Sequence, residues 1–260
     1  MDKIFDTHAH YDDEAFDSDR EELLSRFQKA GIAKVVNIGA DLRSTESSIE
    51  LAQQYPFIYA AAGVHPSDAG QLSEETFAWL AEQAKRPKVV AIGEIGLDYY
   101  WEKDPEKREN QRYWFRRQIG LAREMGLPIV IHSREAAQDT MDIAKDEKLS
   151  EVGGIVHCYA YSVEHAREYI KMGLFLGIGG VVTYKNSRVL KEVVQAVPLD
   201  SIVLETDSPY LSPVPNRGKR NSSLNLSYVI DQIAALKNVS REEVIQKTWE
   251  NAHRAYRMEG

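Results

Sequence analysis

Eight short runs of β-branched and aliphatic residues recur along this chain, each followed by a segment patterned for a helix. That alternation limits the possible folds more than any single motif does. The runs are Lys3–Asp6, Ala33–Ile38, Ile58–Val64, Val89–Ile95, Ile129–Ile131, Gly154–His157, Leu174–Ile178 and Ser201–Glu205. Several, such as KVVNIG and PIVIHS, are apolar throughout, as strands are in a parallel sheet covered on both faces. Between them apolar residues return at helical spacing. Leu23, Leu24, Phe27 and Ala30 precede a stop at Gly31, and Phe77, Leu80, Ala81 and Ala84 follow Ser73 as an N-cap. Another helix opens at Ser162 and ends at Gly173, and Ser240 with Glu243 makes a capping-box pattern before a last helix reaching Tyr256. Eight such units in 260 residues predict an α/β fold, a closed (β/α)8 TIM barrel forming a single domain over residues 1–260. The competing open, doubly wound sheet would carry a glycine-rich dinucleotide loop after its first strand. DTHAHYDD stands there instead.

The formal charge of −8 excludes a protein that holds a polyanion through its overall field, so any nucleic-acid contact has to be local. A single cysteine, Cys158, excludes an intrachain disulfide framework and fits a reducing compartment, so a cytoplasmic location is expected. No apolar run approaches a membrane span, and no apolar segment of signal-peptide type follows Asp2 and Lys3. Neither a membrane nor an obligate protein partner is expected. The one long irregular stretch, Ser208–Leu224, holds three of the nine prolines and three cations.

Functional side chains of such a barrel gather at the C-terminal ends of its strands. The first run leads into Asp6-Thr7-His8-Ala9-His10, the third into Val64-His65-Pro66, and the fourth into Glu94 and Asp98. The fifth leads into His132-Ser133-Arg134, the sixth into His157-Cys158-Tyr159, and the eighth into Glu205-Thr206-Asp207. Five of the seven histidines stand at these ends, whereas His165 and His253 fall within helical patterns. On a regular strand His8 and His10 share a face with Asp6, which is one way to offer two nitrogens to one metal. Taken singly, each group has a plainer role: a hydrogen-bonded core histidine, a paired barrel acid, a turn cap before Ser-Pro. Together they set many costly polar groups on one rim, and a shared metal site gives them a common reason. Cys158 is expected to point to the opposite face of its strand as a small packed residue.

The stretches DTHAH, GVHP, GEIGLDYY, IHSREA, GIVHCY, LETDSPYL and RGKRN follow in that order over nearly the whole chain. With them the sequence resembles the TatD family of metal-dependent nucleases, within the amidohydrolase-like metal-dependent hydrolase barrels. It departs from the family pattern at Tyr159-Ala160-Tyr161 and at Ser222-Ser223, both in substrate-side loops. The resemblance implies two divalent metal ions, with Mg²⁺, Mn²⁺ and Zn²⁺ all candidates. It implies that His8, His10 and Asp207 hold the first, that His132 and His157 hold the second, and that Glu94 bridges them. A water activated between the ions would be the nucleophile. Asp207 is also placed to accept its proton. Glu205, two residues earlier on the same side of a regular strand, is assigned to orient the ligands. His65 is placed to contact the phosphate as a proton donor, and Asp6 to orient a ligand histidine.

Arg217, Lys219 and Arg220 follow the eighth run, and Arg134 follows His132. Tyr11, Tyr99, Tyr100, Trp101, Tyr159, Tyr161, Tyr184 and Tyr210 lie past strand ends. Cations that track phosphates, interleaved with aromatic faces that stack bases, make a single-strand binding surface. With the resemblance, the expected function is a 3′–5′ exodeoxyribonuclease that hydrolyses phosphodiester bonds of single-stranded DNA, its substrate partner. Two other functions compete. One is hydrolysis of a small-molecule ester, lactone, amide or phosphoester on the same barrel, against which the cations of RGKRN argue. The other is a non-catalytic, metal-bound nucleic-acid-binding barrel, against which a carboxylate-rich site with open water positions argues.

Overall fold

Eight strands pair in chain order as β1 (Ile4–Ala9), β2 (Ile32–Ile38), β3 (Ile58–Ala62), β4 (Val89–Asp98), β5 (Ile129–Arg134), β6 (Gly154–Val156), β7 (Leu174–Ile178) and β8 (Ile202–Leu204). Every neighbouring pair is parallel. The computed structural model describes residues 3–259; Met1, Asp2 and Gly260, at the ends of the expected domain, lie outside the described residues. The barrel closes through the chain just beyond β8. Ala9 bridges Ser208, the Asp207 amide donates to the His8 carbonyl at 2.9 Å, and the His10 amide donates to Ser208 at 2.8 Å. The two ends of the chain's strand series thus meet at the residues expected to hold metal.

The surrounding helices are α1 (Arg20–Ser25), α2 (Leu42–Gln54), α3 (Glu74–Gln83), α4 (Pro105–Met125), α5 (Ala137–Asp146), α6 (Leu149–Val152), α7 (Val163–Lys171), α8 (Arg188–Ala196), α9 (Leu226–Lys237) and α10 (Arg241–Ala255). Ser73 caps α3 in a reciprocal box with Thr76, while Ser240 caps α10 by accepting the Glu243 amide alone. The first expected helix is shorter than its apolar spacing suggests: α1 ends at Ser25, and a 3₁₀ turn, Gln28–Ala30, carries the chain to the left-handed Gly31. Among the described residues no helix is long and apolar enough to cross a membrane.

Two apolar layers follow from strand alternation. One lies between sheet and helices. The other fills the barrel with Phe5, Val36, Ile38, Ala61, Ala91, Val130, Ile155 and Val203. Ala252 and Ala255 of α10, with Tyr256 just past its end, plug it, and the Tyr256 hydroxyl donates to the Thr7 carbonyl at 2.6 Å. With its interior packed, the barrel has room for chemistry only at the C-terminal rim.

Candidate metal centre

Six of the eight strand ends, those of β1, β3, β4, β5, β6 and β8, deliver polar groups to one point, and Glu94 stands at the middle of it. Glu94 Oε2 lies 3.4 Å from His8 Nε2 and 3.9 Å from His10 Nε2. Its other oxygen, Oε1, lies 2.8 Å from His132 Nδ1, 3.5 Å from His157 Nε2 and 3.9 Å from His65 Nε2. Asp207 Oδ1 completes the first group, 3.6 Å from His8 Nε2 and 3.4 Å from His10 Nε2. The donor atoms of His8, His10 and Asp207 form one close set, and those of Glu94, His132 and His157 form another.

The outward-facing nitrogens decide which lone pairs face in. His10 Nδ1 donates to the Ile38 carbonyl at 2.9 Å, leaving Nε2 bare toward Asp207. His157 Nδ1 faces Glu205 Oε1 at 3.2 Å, which turns its Nε2 toward Glu94. His132 is the reverse: Nε2 meets Asp98 Oδ2 at 3.1 Å, so Nδ1 faces the centre. This is how histidine ligands are normally oriented, by a carbonyl or carboxylate behind the ring. The His8 and His10 Nε2 atoms are only 3.1 Å apart, and the His8 ring stacks on His157 with centroids 3.6 Å apart. Buried imidazoles crowded nitrogen to nitrogen beside two carboxylates are a donor set that a divalent cation satisfies. The residues present therefore fit a metal ion.

The electrostatics follow the same division. Burial opposes the charge on Glu94, yet His157, His8 and His132 outweigh it and hold the carboxyl well below its usual range. Burial likewise opposes ionisation of Asp207, and His10, His157 and His8 again prevail. Against the same burial, Asp207 and Glu94 push His10 up to about 9, and Glu205 and Glu94 push His157 up to about 10. The centre is thus a negative field that holds positive charge. His65 goes the other way. Burial and the neighbouring His132 lower it to about 4, and its Nδ1 accepts the Ser67 amide at 3.1 Å. It is a neutral ring with the proton on Nε2, suited to donate a hydrogen bond and unsuited to bind a metal through that atom.

Several expectations change. Asp6 touches no imidazole in the hydrogen bonds of the described residues. Its carboxylate takes the Thr206 amide at 3.0 Å, the Thr206 hydroxyl at 2.7 Å and the Ser223 hydroxyl at 2.6 Å. The pairing of β1 with β2 shifts register between Asp6 and Ala9, so the alternation that put Asp6 beside His8 does not run through the segment. Asp6 anchors the turn that carries Asp207. Cys158 lies past the end of β6 with a left-handed backbone, φ +45°, so strand alternation does not apply to it. Its amide donates to Glu205 Oε1 at 2.7 Å. Burial, then Glu205 and Asp207, push its thiol well up, which keeps it a poor nucleophile. Arg220, expected to face substrate, pairs in a fork with Asp19 at 2.7 and 2.6 Å and covers the Phe16 ring.

Arg134, Arg217 and Lys219 carry no ion pair among the described residues and are exposed. Arg217 lies over the Tyr184 ring at 4.4 Å. The last residue of RGKRN, buried Asn221, donates to the Thr206 carbonyl at 2.9 Å and fixes the loop to the site. Tyr11, Tyr99 and Tyr159 are buried under the loops, so they offer no face for stacking. Two participants have roles that only the fold reveals. Asp98 was visible at its strand end, but its contact with His132 is made across strands. Gly177 on β7 is required by Glu205: a Cβ there would sit 2.0 Å from Glu205 Oε2. A groove of about 570 Å³ is lined by six acids, Asp12, Asp17, Asp19, Glu21, Glu22 and Glu50, against one cation, Arg20, a balance unfavourable to polyanions.

Comparison with known proteins gives a consistent picture. The family model described as TatD related DNase matches residues 5–257. The metal-dependent hydrolase YabD of Bacillus subtilis is 46% identical over 255 residues, covering 98% of this chain and 99% of that one. A 3′-5′ ssDNA/RNA exonuclease TatD of Erwinia tasmaniensis is 32% identical over 262 residues, covering 98% of this chain and all of its own. The crystal structure of YjjV, a TatD homolog from Escherichia coli K12, superposes with a TM-score of 0.91 at 29% identity, covering 98% of both chains.

Proposed function

The chain belongs to the TatD family of metal-dependent hydrolases acting on ester bonds, and from that premise we propose that it trims single-stranded DNA from the 3′ end with two divalent ions, as one domain acting in the cytoplasm. The observation that carries this reading is the meeting, on one rim, of an imidazole-carboxylate centre with cations that pair with no acid among the described residues. An amide or lactone would not call for Arg134, Arg217 and Lys219 at the mouth; a phosphate-bearing strand does. Relatives of Erwinia tasmaniensis and Pantoea vagans named 3′-5′ ssDNA/RNA exonucleases, 32% and 31% identical to this chain, support the same substrate class.

His8, His10 and Asp207 would hold one ion and His132 and His157 the other, with Glu94 offering one oxygen to each. Bound there, the ions would supply a water of lowered pKa and neutralise charge on the reacting phosphate. The chain's own groups do the rest. Asp207, ionised and at the edge of the first set, takes the proton from the attacking water. His65, neutral with its proton on Nε2, donates a hydrogen bond to a phosphate oxygen. Glu205, shut in against Gly177, holds the His157 ring so that Nε2 faces the centre.

An end-labelling assay tests the direction. A 5′-labelled strand in Mg²⁺ or Mn²⁺ should shorten as a ladder from the far end, and an internal cut in a circular single strand would refute exonucleolytic action. Arg217→Ala should raise KM on the order of 10-fold while kcat and metal content hold, since one phosphate contact is lost. Elemental analysis beside steady-state kinetics checks both halves.

A further inference from the structure

Two aromatic rings stand in water where the barrel rim turns away from β4. Trp101 is 69% exposed and Tyr100 40%. Large rings left in solvent at a catalytic rim need an occupant more than those scattered on outer helices do. Tyr113 and Tyr228, also exposed, belong to the outer helices α4 and α9. Tyr210, at the rim, has its hydroxyl committed to Asp13 at 2.9 Å.

The turn that bears these rings is braced. Asp98 Oδ1 accepts the amides of Tyr100 and Trp101, each at 3.0 Å, while Oδ2 of the same carboxylate meets His132 Nε2 at 3.1 Å. Arg108 donates to the Tyr99 and Glu102 carbonyls, and Lys103 donates to the Tyr99 carbonyl at 2.6 Å. Across the ladder, Asp98 is in register with Arg134, and the Tyr99 amide donates to the Arg134 carbonyl at 2.8 Å. That register sets the Arg134 guanidinium 3.9 Å from the Tyr100 ring centroid and 5.7 Å from that of Trp101.

Resting on the nucleic-acid reading above, we propose that Trp101, Tyr100 and Arg134 form a nucleobase clamp, tied by Asp98 to the ligand His132 so that a stacked base fixes its phosphate at the metal centre. The indole offers a face that any base can stack on, and the guanidinium, in no ion pair among the described residues, offers charge to the adjoining phosphate. Stacking is tolerant of sequence, so the clamp serves an enzyme that trims strands without reading them. It also favours unpaired ends, because a base within a duplex has no free face.

The test compares a short oligothymidylate with an abasic strand of equal length. Binding is followed in EDTA by the anisotropy of a 5′-dye-labelled strand, with tryptophan emission of the natural chain recorded beside it and cleavage of the oligothymidylate measured separately in Mn²⁺. For the natural chain, the oligothymidylate should quench emission more than the abasic strand does. Trp101→Ala should weaken oligothymidylate binding roughly 10-fold or more, with the abasic strand changed less than twofold and Trp101→Phe restoring much of the loss. Arg134→Ala should weaken both strands. If Trp101→Ala binds and cleaves oligothymidylate like the natural chain, or loses both strands equally, the clamp is wrong and the exonuclease reading stands. If the natural chain neither binds nor cleaves the oligothymidylate, the nucleic-acid reading falls and the clamp falls with it.

Discussion

Glu94→Gln is expected to abolish turnover and to lower metal content at both positions. The substitution keeps the shape and removes the charge that stands between the two sets of imidazoles. Each carboxylate oxygen faces a different set, His8 and His10 on one side and His132 and His157 on the other. Losing a shared anionic ligand should therefore weaken both ions, where losing His132 should weaken one. If the ions supply several kcal/mol of transition-state stabilisation, the rate falls on the order of 1,000-fold or more. Elemental analysis of the variant is the check. Unchanged stoichiometry would mean that Glu94 bridges nothing and acts only through the hydrogen bond to His132.

Asp207→Asn comes next in size, with a loss of about 100- to 10,000-fold in kcat, the span for removing a positioned proton acceptor. The neighbouring Glu205→Gln should cost less, about 10- to 100-fold, because Glu205 touches the His157 ring and the Cys158 amide rather than the reacting atoms. The two residues are separated by their effects on substrate-independent metal affinity. Glu205→Gln should loosen the ion held by His157 and leave the His8 and His10 set intact. Asp207→Asn should do the opposite. Equal and small losses in kcat would remove both residues from the mechanism.

The barrel was legible because it rests on local pattern. Continuous apolar strands at βα spacing leave few topologies, and the C-terminal ends of parallel strands must then converge. All eight expected runs carry strands, with ends moved by a few residues: β3, β6 and β8 stop short of the expected bounds, and others run on where pairing continues past the apolar stretch. β4 extends to Asp98 and β5 to Arg134 because each pairs with the other to that point. What stayed hidden depends on partners distant in sequence. Arg220 reads as a free cation until Asp19, some two hundred residues earlier, lies beside it. Asp6 reads as a helper of His8 until a register shift sends it to Thr206 and Ser223. Asp98 reads as one more strand-end acid until β5 brings His132 to it. Tyr11 and Tyr159 read as rim aromatics, yet both close the core under their loops. Residue type and strand position forecast where a side chain starts; the tertiary contact decides what it does.

The claim that this centre hydrolyses phosphodiester bonds is tested most directly by stripping the protein of metal and reloading it with Mg²⁺, Mn²⁺ or Zn²⁺. Each form is then assayed on single-stranded DNA, duplex DNA, RNA, a small phosphodiester, and a panel of lactones and amides. The account predicts no DNA cleavage by the stripped protein, restoration by at least one ion, and single strands shortened faster than duplex. Intact single strands with every ion, alongside ready turnover of a lactone or an amide, would contradict it.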